Sequence, residues 1–221
     1  MSLPLLADDS LRAIDLHYRR AGTSILRGVS LTVHAGERVA LTGPSGSGKT
    51  TLLSLLAGLE PATSGRVLFG DRALTRDHPA RARVAVVFQS YGLVSLLTAA
   101  ENVEVALHAA GRPRADIAGG ALAALALVGL ESRAEALIEE MSGGQQQRVA
   151  VARALAVDPL LLLADEPTAE LDKDARLLVL DALLATATTG TALVIATHDP
   201  DVADRCDRRV QLLDGRIQSE H

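Results

Sequence analysis

Three short stretches of this 221-residue chain combine residue types that could do chemistry. The first is Gly43-Pro44-Ser45-Gly46-Ser47-Gly48-Lys49-Thr50, followed by Thr51, and it fits G-x-x-x-x-G-K-[ST]. Glycines at those places let the backbone curl until several N–H groups point inward, and such a nest at a helix N-terminus suits phosphate. Lys49 can reach the outer phosphates as a point charge, and the Thr50 hydroxyl is a candidate ligand for Mg2+. The pattern requires a strand before it and a helix after it. RVALT (38–42) reads as the strand, and TTLLSLLAG (50–58) as a helix closing at Gly58, with Pro61 just beyond.

The second stretch is LLLLADEP (160–167), which sets Asp165 and Glu166 at the end of a strongly apolar run. Ligand sites of doubly wound sheets lie at strand C-termini. Asp165 is therefore a candidate to hold Mg2+ through water. Glu166 is a candidate general base, a task that contributes about 10²–10⁴-fold. A local alternative is that either residue caps the segment that follows.

The third is MSGGQQQR (141–148). Ser142 with Gln145 makes a capping box for a helix running to Val157. That leaves Gly143 and Gly144 unexplained, because glycine in a first turn lowers helix stability. Bare backbone there is useful if another group must approach it closely.

The elements that position these stretches follow from hydrophobic period. Residues 11–18 and 29–34 alternate apolar and polar and predict half-buried strands. Further strands are predicted at 66–69, 83–88, 160–165, 192–197 and 209–213, with an Asp-Gly hairpin over 213–217. From about 90 to 158 the chain turns Ala/Leu-rich, with helices predicted near 101–110, 114–128, 132–140 and 143–157. KDARLLVLDALL reads as a helix that Asp172 could cap. Apolar strands alternating with helices predict an α/β core, a mostly parallel sheet with helices on both faces.

Composition narrows the function classes. Hydrophobic residues are 48% but aromatics only 2%, so Leu, Val and Ala must fill the core of what reads as one domain. A net charge of -5 argues against nucleic acid as the main partner. The single cysteine, Cys206, cannot form an internal disulfide and suits a reducing compartment as a buried or half-buried thiol. MSLPLLADDS has no basic region followed by an apolar stretch, so no signal peptide is expected. The apolar runs at 119–130 and 160–164 fall short of the roughly 18–20 residues that span a bilayer.

Taken in order, these motifs resemble those of the nucleotide-binding subunit of an ABC transporter, over essentially the whole chain. GPSGSGKTT (43–51) resembles the Walker A motif, Gln89 the Q-loop glutamine, and MSGGQQQR the signature usually written LSGGQ. LLLLADEP resembles Walker B, AELD (169–172) the D-loop, and His198 in ATHD the H-loop histidine. Tyr18 lies where the family has an aromatic that stacks on adenine. Met141 replaces the signature leucine, and AELD stands where SALD is commoner. EPTAELD and THDPDVADRCDR look most like the lipoprotein-releasing, macrolide-export and cell-division branch.

The resemblance implies a P-loop NTPase core with an N-terminal antiparallel β subdomain and a helical subdomain inserted at about 90–158, all in one ABC ATPase domain spanning 1–221. It implies Mg-ATP bound by residues 43–51 and Tyr18, with Thr50, Gln89 and Asp165 at the metal. Glu166, His198 and Gln89 would act in hydrolysis. Ser142, Gly143, Gly144, Gln145 and Asp172 would serve the ATP held by a second subunit in a head-to-tail dimer, most simply an identical copy. The implied partner is an integral membrane permease, which would place the chain peripherally on the cytoplasmic face of the cell membrane. Competing readings are a non-transport ABC ATPase, disfavoured by the lack of long insertions or a basic stripe, and a regulatory module, disfavoured because Asp165, Glu166, Gln89 and His198 are all present.

Overall fold

The computed structural model describes residues 10–75, 81 and 83–220. The expectation that the first ten residues hold no export signal concerns positions 1–9, which lie outside the described residues. Strand β1 (Leu11–Arg20) pairs antiparallel with β2 (Thr23–Val33) and, on its other side, with β4 (Ser64–Phe69). With β5 (Arg72–Ala73) they make a four-stranded sheet in the order β2-β1-β4-β5. β2 begins well before the predicted residue 29. A bulge hides its first half from a period-two reading: Leu16 pairs with Val29 and His17 with Arg27, leaving Gly28 unpaired at φ 77°.

The second sheet has six strands in the order β10-β9-β3-β8-β7-β6. They are β3 (Arg38–Thr42), β6 (Val84–Val87), β7 (Leu161–Asp165), β8 (Ala192–Ala196), β9 (Arg208–Leu213) and β10 (Arg216–Glu220). All pairings are parallel except the terminal β9–β10 hairpin. Its turn carries Asp214 at φ 49° and Gly215 at φ 74°, the left-handed pair that the Asp-Gly signal predicts.

β7 and β8 are buried at every position, which is why they read as unbroken apolar runs. Their alternate side chains feed two cores. Leu162, Ala164, Leu193 and Ile195 face the helical side. Leu161, Leu163, Ala192 and Val194 face the side of α1 (Lys49–Leu56) and the antiparallel sheet.

Between β6 and β7 come α2 (Ala99–Ala109), α3 (Arg114–Leu127) and α4 (Gly143–Ala156), as predicted within a few residues. The helix predicted over 132–140 does not form. Two 3-10 turns, Glu131–Arg133 and Ile138–Glu140, flank a turn at 134–135 and a single bridge residue, Leu137, that pairs with Thr98. There Ala136 and Ala134 carbonyls accept from Ala99 and Ala100 N–H, at 2.9 Å each, and Ile138 N–H donates to Leu97 O. A continuous helix would have consumed the carbonyls that satisfy the first turn of α2.

The chain then runs through α5 (Lys173–Ala187) and α6 (Pro200–Ala203). Cys206 is half-buried; burial pushes its thiol up to about 11, so it is an unreactive packing group. Among the described residues no helix is long and apolar enough to cross a membrane.

Candidate functional site

The glycine loop joins β3 to α1, and packing fixes its shape. A Cβ on Gly43 would stand 2.1 Å from the Leu212 carbonyl, so no other residue fits there. Gly48 sits at φ 106° as the N-cap of α1. The terminal hairpin supports the loop from behind, with Gly215 N–H donating to Ser47 O at 3.2 Å. No side chain caps α1 and no acid lies in its first turn. By contrast, Thr98, Ser142 and Asp172 side chains cap α2, α4 and α5. An uncapped, uncompensated helix N-terminus beside a curled loop suits an anion.

Two further observations support that fit. Lys49 Nζ folds back onto the loop, donating to Gly43 O at 2.7 Å and Pro44 O at 3.1 Å. The buried Ser47 Oγ has no hydrogen-bond partner. Pro44, Ser45 and Gly46 are exposed, with open space above Gly46, while Thr51 turns partly inward.

Thr50 links the loop to β7. Its Oγ1 donates to Asp165 Oδ2 at 2.5 Å. Burial raises the Asp165 carboxyl above its ordinary value and neighbouring Glu166 adds to this, while Thr50 and Lys49 oppose it. A buried carboxylate that water does not stabilise would be stabilised by a cation. Among the described residues no cluster of three His, Cys, Asp or Glu side chains is built to hold a metal alone. One hydroxyl and one carboxylate suit Mg2+, which keeps waters and binds through substrate phosphates. Gln89 is exposed just past β6.

Glu166 follows Asp165 in a left-handed conformation, φ 48°, uncommon for any residue with a side chain. Its N–H donates to Ala196 O at 2.9 Å and its carbonyl accepts from Gln147 Nε2 at 2.8 Å. Its carboxylate Oε1 lies 2.8 Å from His198 Nδ1, which therefore carries the hydrogen. The His198 side chain is 73% exposed and that of Glu166 14%, so the imidazole covers the open side of the carboxylate.

The capping box of α4 is present: Gln145 N–H donates to Ser142 Oγ at 3.3 Å, and Ser142 N–H to Gln145 Oε1 at 3.0 Å. The two glycines make room for Glu170. A Cβ on Gly143 would lie 2.7 Å from Glu170 Oε2, and one on Gly144 would lie 3.1 Å from Glu170 O. Asp172 caps α5 by accepting from Ala175 N–H at 2.9 Å.

Gln147 went unnoticed in the motif reading. It is 3% exposed and bridges Glu166 O to Glu170 N–H, which it accepts at 3.3 Å. The available signal was a glutamine on the same helical face as buried Ala150, Val151 and Ala154.

The structure thus sets the Thr50–Asp165 and Glu166–His198 pairs at the end of β7 near Lys49, and Ser142–Gln145 beside Glu170, with Gln147 bridging the two groups. Tyr18 belongs to neither. It is buried in β1, its hydroxyl donating to Glu60, with the Arg20 guanidinium 5.8 Å from its ring centroid.

Comparison with known proteins places the whole chain. Residues 26–169 match the family model described as ABC transporter. The chain is 45% identical over 204 residues to the uncharacterized ABC transporter ATP-binding protein YbbA of Escherichia coli K12, covering 89% of this chain and 90% of that one. It is 48% identical over 206 residues to the lipoprotein-releasing system ATP-binding protein LolD of Anaeromyxobacter dehalogenans, covering 90% and 86%. The dimeric structure of the bacterial ABC transporter cassette MJ0796 superposes with a TM-score of 0.88 at 34% identity, covering 96% of this chain and 97% of that one. The same cassette in a post-hydrolysis dimer bound to ADP and Pi superposes equally well.

Proposed function

Since the chain belongs to the ABC transporter family as an ATP-binding subunit, we propose that it turns over Mg-ATP in a head-to-tail dimer and passes the resulting motion to a separate membrane permease. The observation that carries this reading is the Glu166 carboxylate, fixed by its own backbone, covered by His198 and adjacent to the Asp165–Thr50 pair.

Each residue has a physical task. Lys49 exchanges two loop carbonyls for phosphate oxygens, and the glycine nest with the α1 N-terminus offsets phosphate charge. Thr50, Asp165 and Gln89 would hold Mg2+, which when bound neutralises charge on the phosphates. Glu166 accepts the proton of the attacking water, and His198 orients the Glu166 carboxylate from the solvent side. Chemistry of this kind rests on positioning and electrostatics more than on covalent steps.

Adenine would sit at Tyr18, where Arg20 now covers a face of the ring. Ser142, Gly143 and Gly144 would meet the phosphates held by the partner's loop. The helical segment at about 90–158 would dock on the permease, with Gln89 at its entry. That arrangement would hold the chain at the cytoplasmic face of the membrane.

Glu166→Gln tests the reading. Phosphate release should fall at least about 100-fold, the scale of a lost general base, while equilibrium binding of ATP stays close to wild type. Turnover at the wild-type rate in this variant would remove Glu166 from the role of base.

A further inference from the structure

One hydrogen bond joins two segments over the start of α4 and takes no part in the chemistry assigned to them. The Tyr91 hydroxyl donates to Glu170 Oε2 at 2.6 Å. Tyr91 lies just beyond Gln89, and Glu170 just before Asp172. The same Oε2 stands 2.7 Å from where a Gly143 Cβ would be, and the Tyr91 oxygen 3.5 Å from it. The two side chains therefore meet over the first turn of α4.

Both backbones are also tied to α4. Arg153 on that helix donates to Tyr91 O at 2.7 Å and to Gly92 O at 2.5 Å. Gln147 on the same helix accepts from Glu170 N–H at 3.3 Å. Tyr91 holds the left-handed φ of 61°, an uncommon conformation that the Arg153 contacts help to fix. Two segments far apart in sequence are thus mounted on one helix and clasped together by one phenol–carboxylate bond.

We propose that Tyr91 and Glu170 are a positioning pair: their bond makes the Gln89 segment and the Asp172 segment move as one unit on the first turn of α4. A displacement of the Gln89 segment then reaches the peptide that follows Glu166, through Glu170 and Gln147. This rests on the ATP-turnover reading above. Neither side chain touches the phosphate loop, so the pair acts after ATP is bound, on the step that commits it to hydrolysis.

The test uses the full chain with Tyr91→Phe, Glu170→Ala, Glu170→Gln and the double variant Tyr91→Phe/Glu170→Ala. Steady-state turnover of Mg-ATP gives kcat and KM. Hydrogen exchange of the nucleotide-free protein reads the segment from Gln89 to Val94 and the first turn of α4.

Tyr91→Phe and Glu170→Ala should each lower kcat by about three- to tenfold, the scale of one charge-assisted hydrogen bond partly open to water. KM should stay within about twofold, and exchange should rise in both segments. The double variant should fall no further, because both single changes remove the same bond. Glu170→Gln, whose amide oxygen still accepts from the phenol, should recover most of the loss.

Raised exchange with unchanged kcat would leave the bond structural only and overturn the proposal. Faster turnover on losing the carboxylate would overturn it as well, since Glu170 would then be a charge brake at the α4 N-terminus. Glu166→Gln run alongside separates the two readings. Turnover near the wild-type rate in that variant refutes the base assignment but leaves the kcat ratios of the pair interpretable.

Discussion

Glu166, the proposed base, shows how much of a side chain's placement is set by its own peptide groups. A left-handed backbone at a residue with a side chain costs about 1–3 kcal/mol and persists only where the surroundings over-determine it. Here the surroundings are Ala196 O and the Gln147 amide. Gln147→Met keeps the side chain's length but removes both of its hydrogen bonds, leaving the Glu166 carbonyl and the Glu170 N–H without that partner. Stability should fall by about 1–3 kcal/mol, read as a lower urea midpoint, and kcat should fall more than KM changes. A variant with wild-type kcat would show that Ala196 alone is enough to hold Glu166. Ser142 and Asp172 are legible as caps because their bonds are local: they close on Gln145 and Ala175. Gln147 was hidden because its partners lie 19 and 23 residues along the chain, a separation no local pattern reports.

At the scale of elements, the phosphate loop is placed by β3, and β3 is pinned at its start by Asp207, just before β9. The Asp207 carboxylate accepts from Arg38 N–H at 2.9 Å and from the Arg38 guanidinium. That guanidinium holds the Asp207 carboxyl below its ordinary 3.8. In the window between the lowered value and 3.8 the unfolded chain binds more protons than the native one, so stability there rises with pH. The contribution is present in full above 3.8 and is lost as pH falls through the native value. Asp207→Asn should therefore cost about 0.5–1 kcal/mol at neutral pH, the range for a half-exposed pair, and far less in strong acid. Urea melts of both proteins at pH 7 and under acid check this; an equal difference at both would mean that the loss is not one of charge. Most elements were legible because their apolar period matches their burial. The first half of β2 and the stretch 132–140 were not, since a bulge at Gly28 broke one pattern and hydrogen bonds to the start of α2 overrode the other.

For the whole molecule the question is why the chain carries both a glycine loop at 43–51 and a second Ser-Gly turn at 142–144. The loop at 43–51 has an uncapped helix, a folded-back Lys49 and the Asp165–Glu166–His198 line beside it. The Ser142–Gly144 turn is already capped by its own Gln145, so it can stand open to water without strain. Among the described residues no hydrogen bond joins the two. Pieces that do not meet within one chain can meet across a two-fold interface, where each contact is made twice. Mixing two inactive variants tests this. In Lys49→Ala the loop fails and Ser142 is intact; in Ser142→Arg the reverse holds. Each alone should be nearly inactive. A mixed dimer joins the intact loop of one chain to the intact Ser142 of the other at one of its two sites. Random pairing makes about half the dimers mixed, so an equal mixture should recover roughly a quarter of wild-type turnover if each site fires by itself. Turnover no higher than that of either parent would show that a complete, independently firing site is not shared between chains.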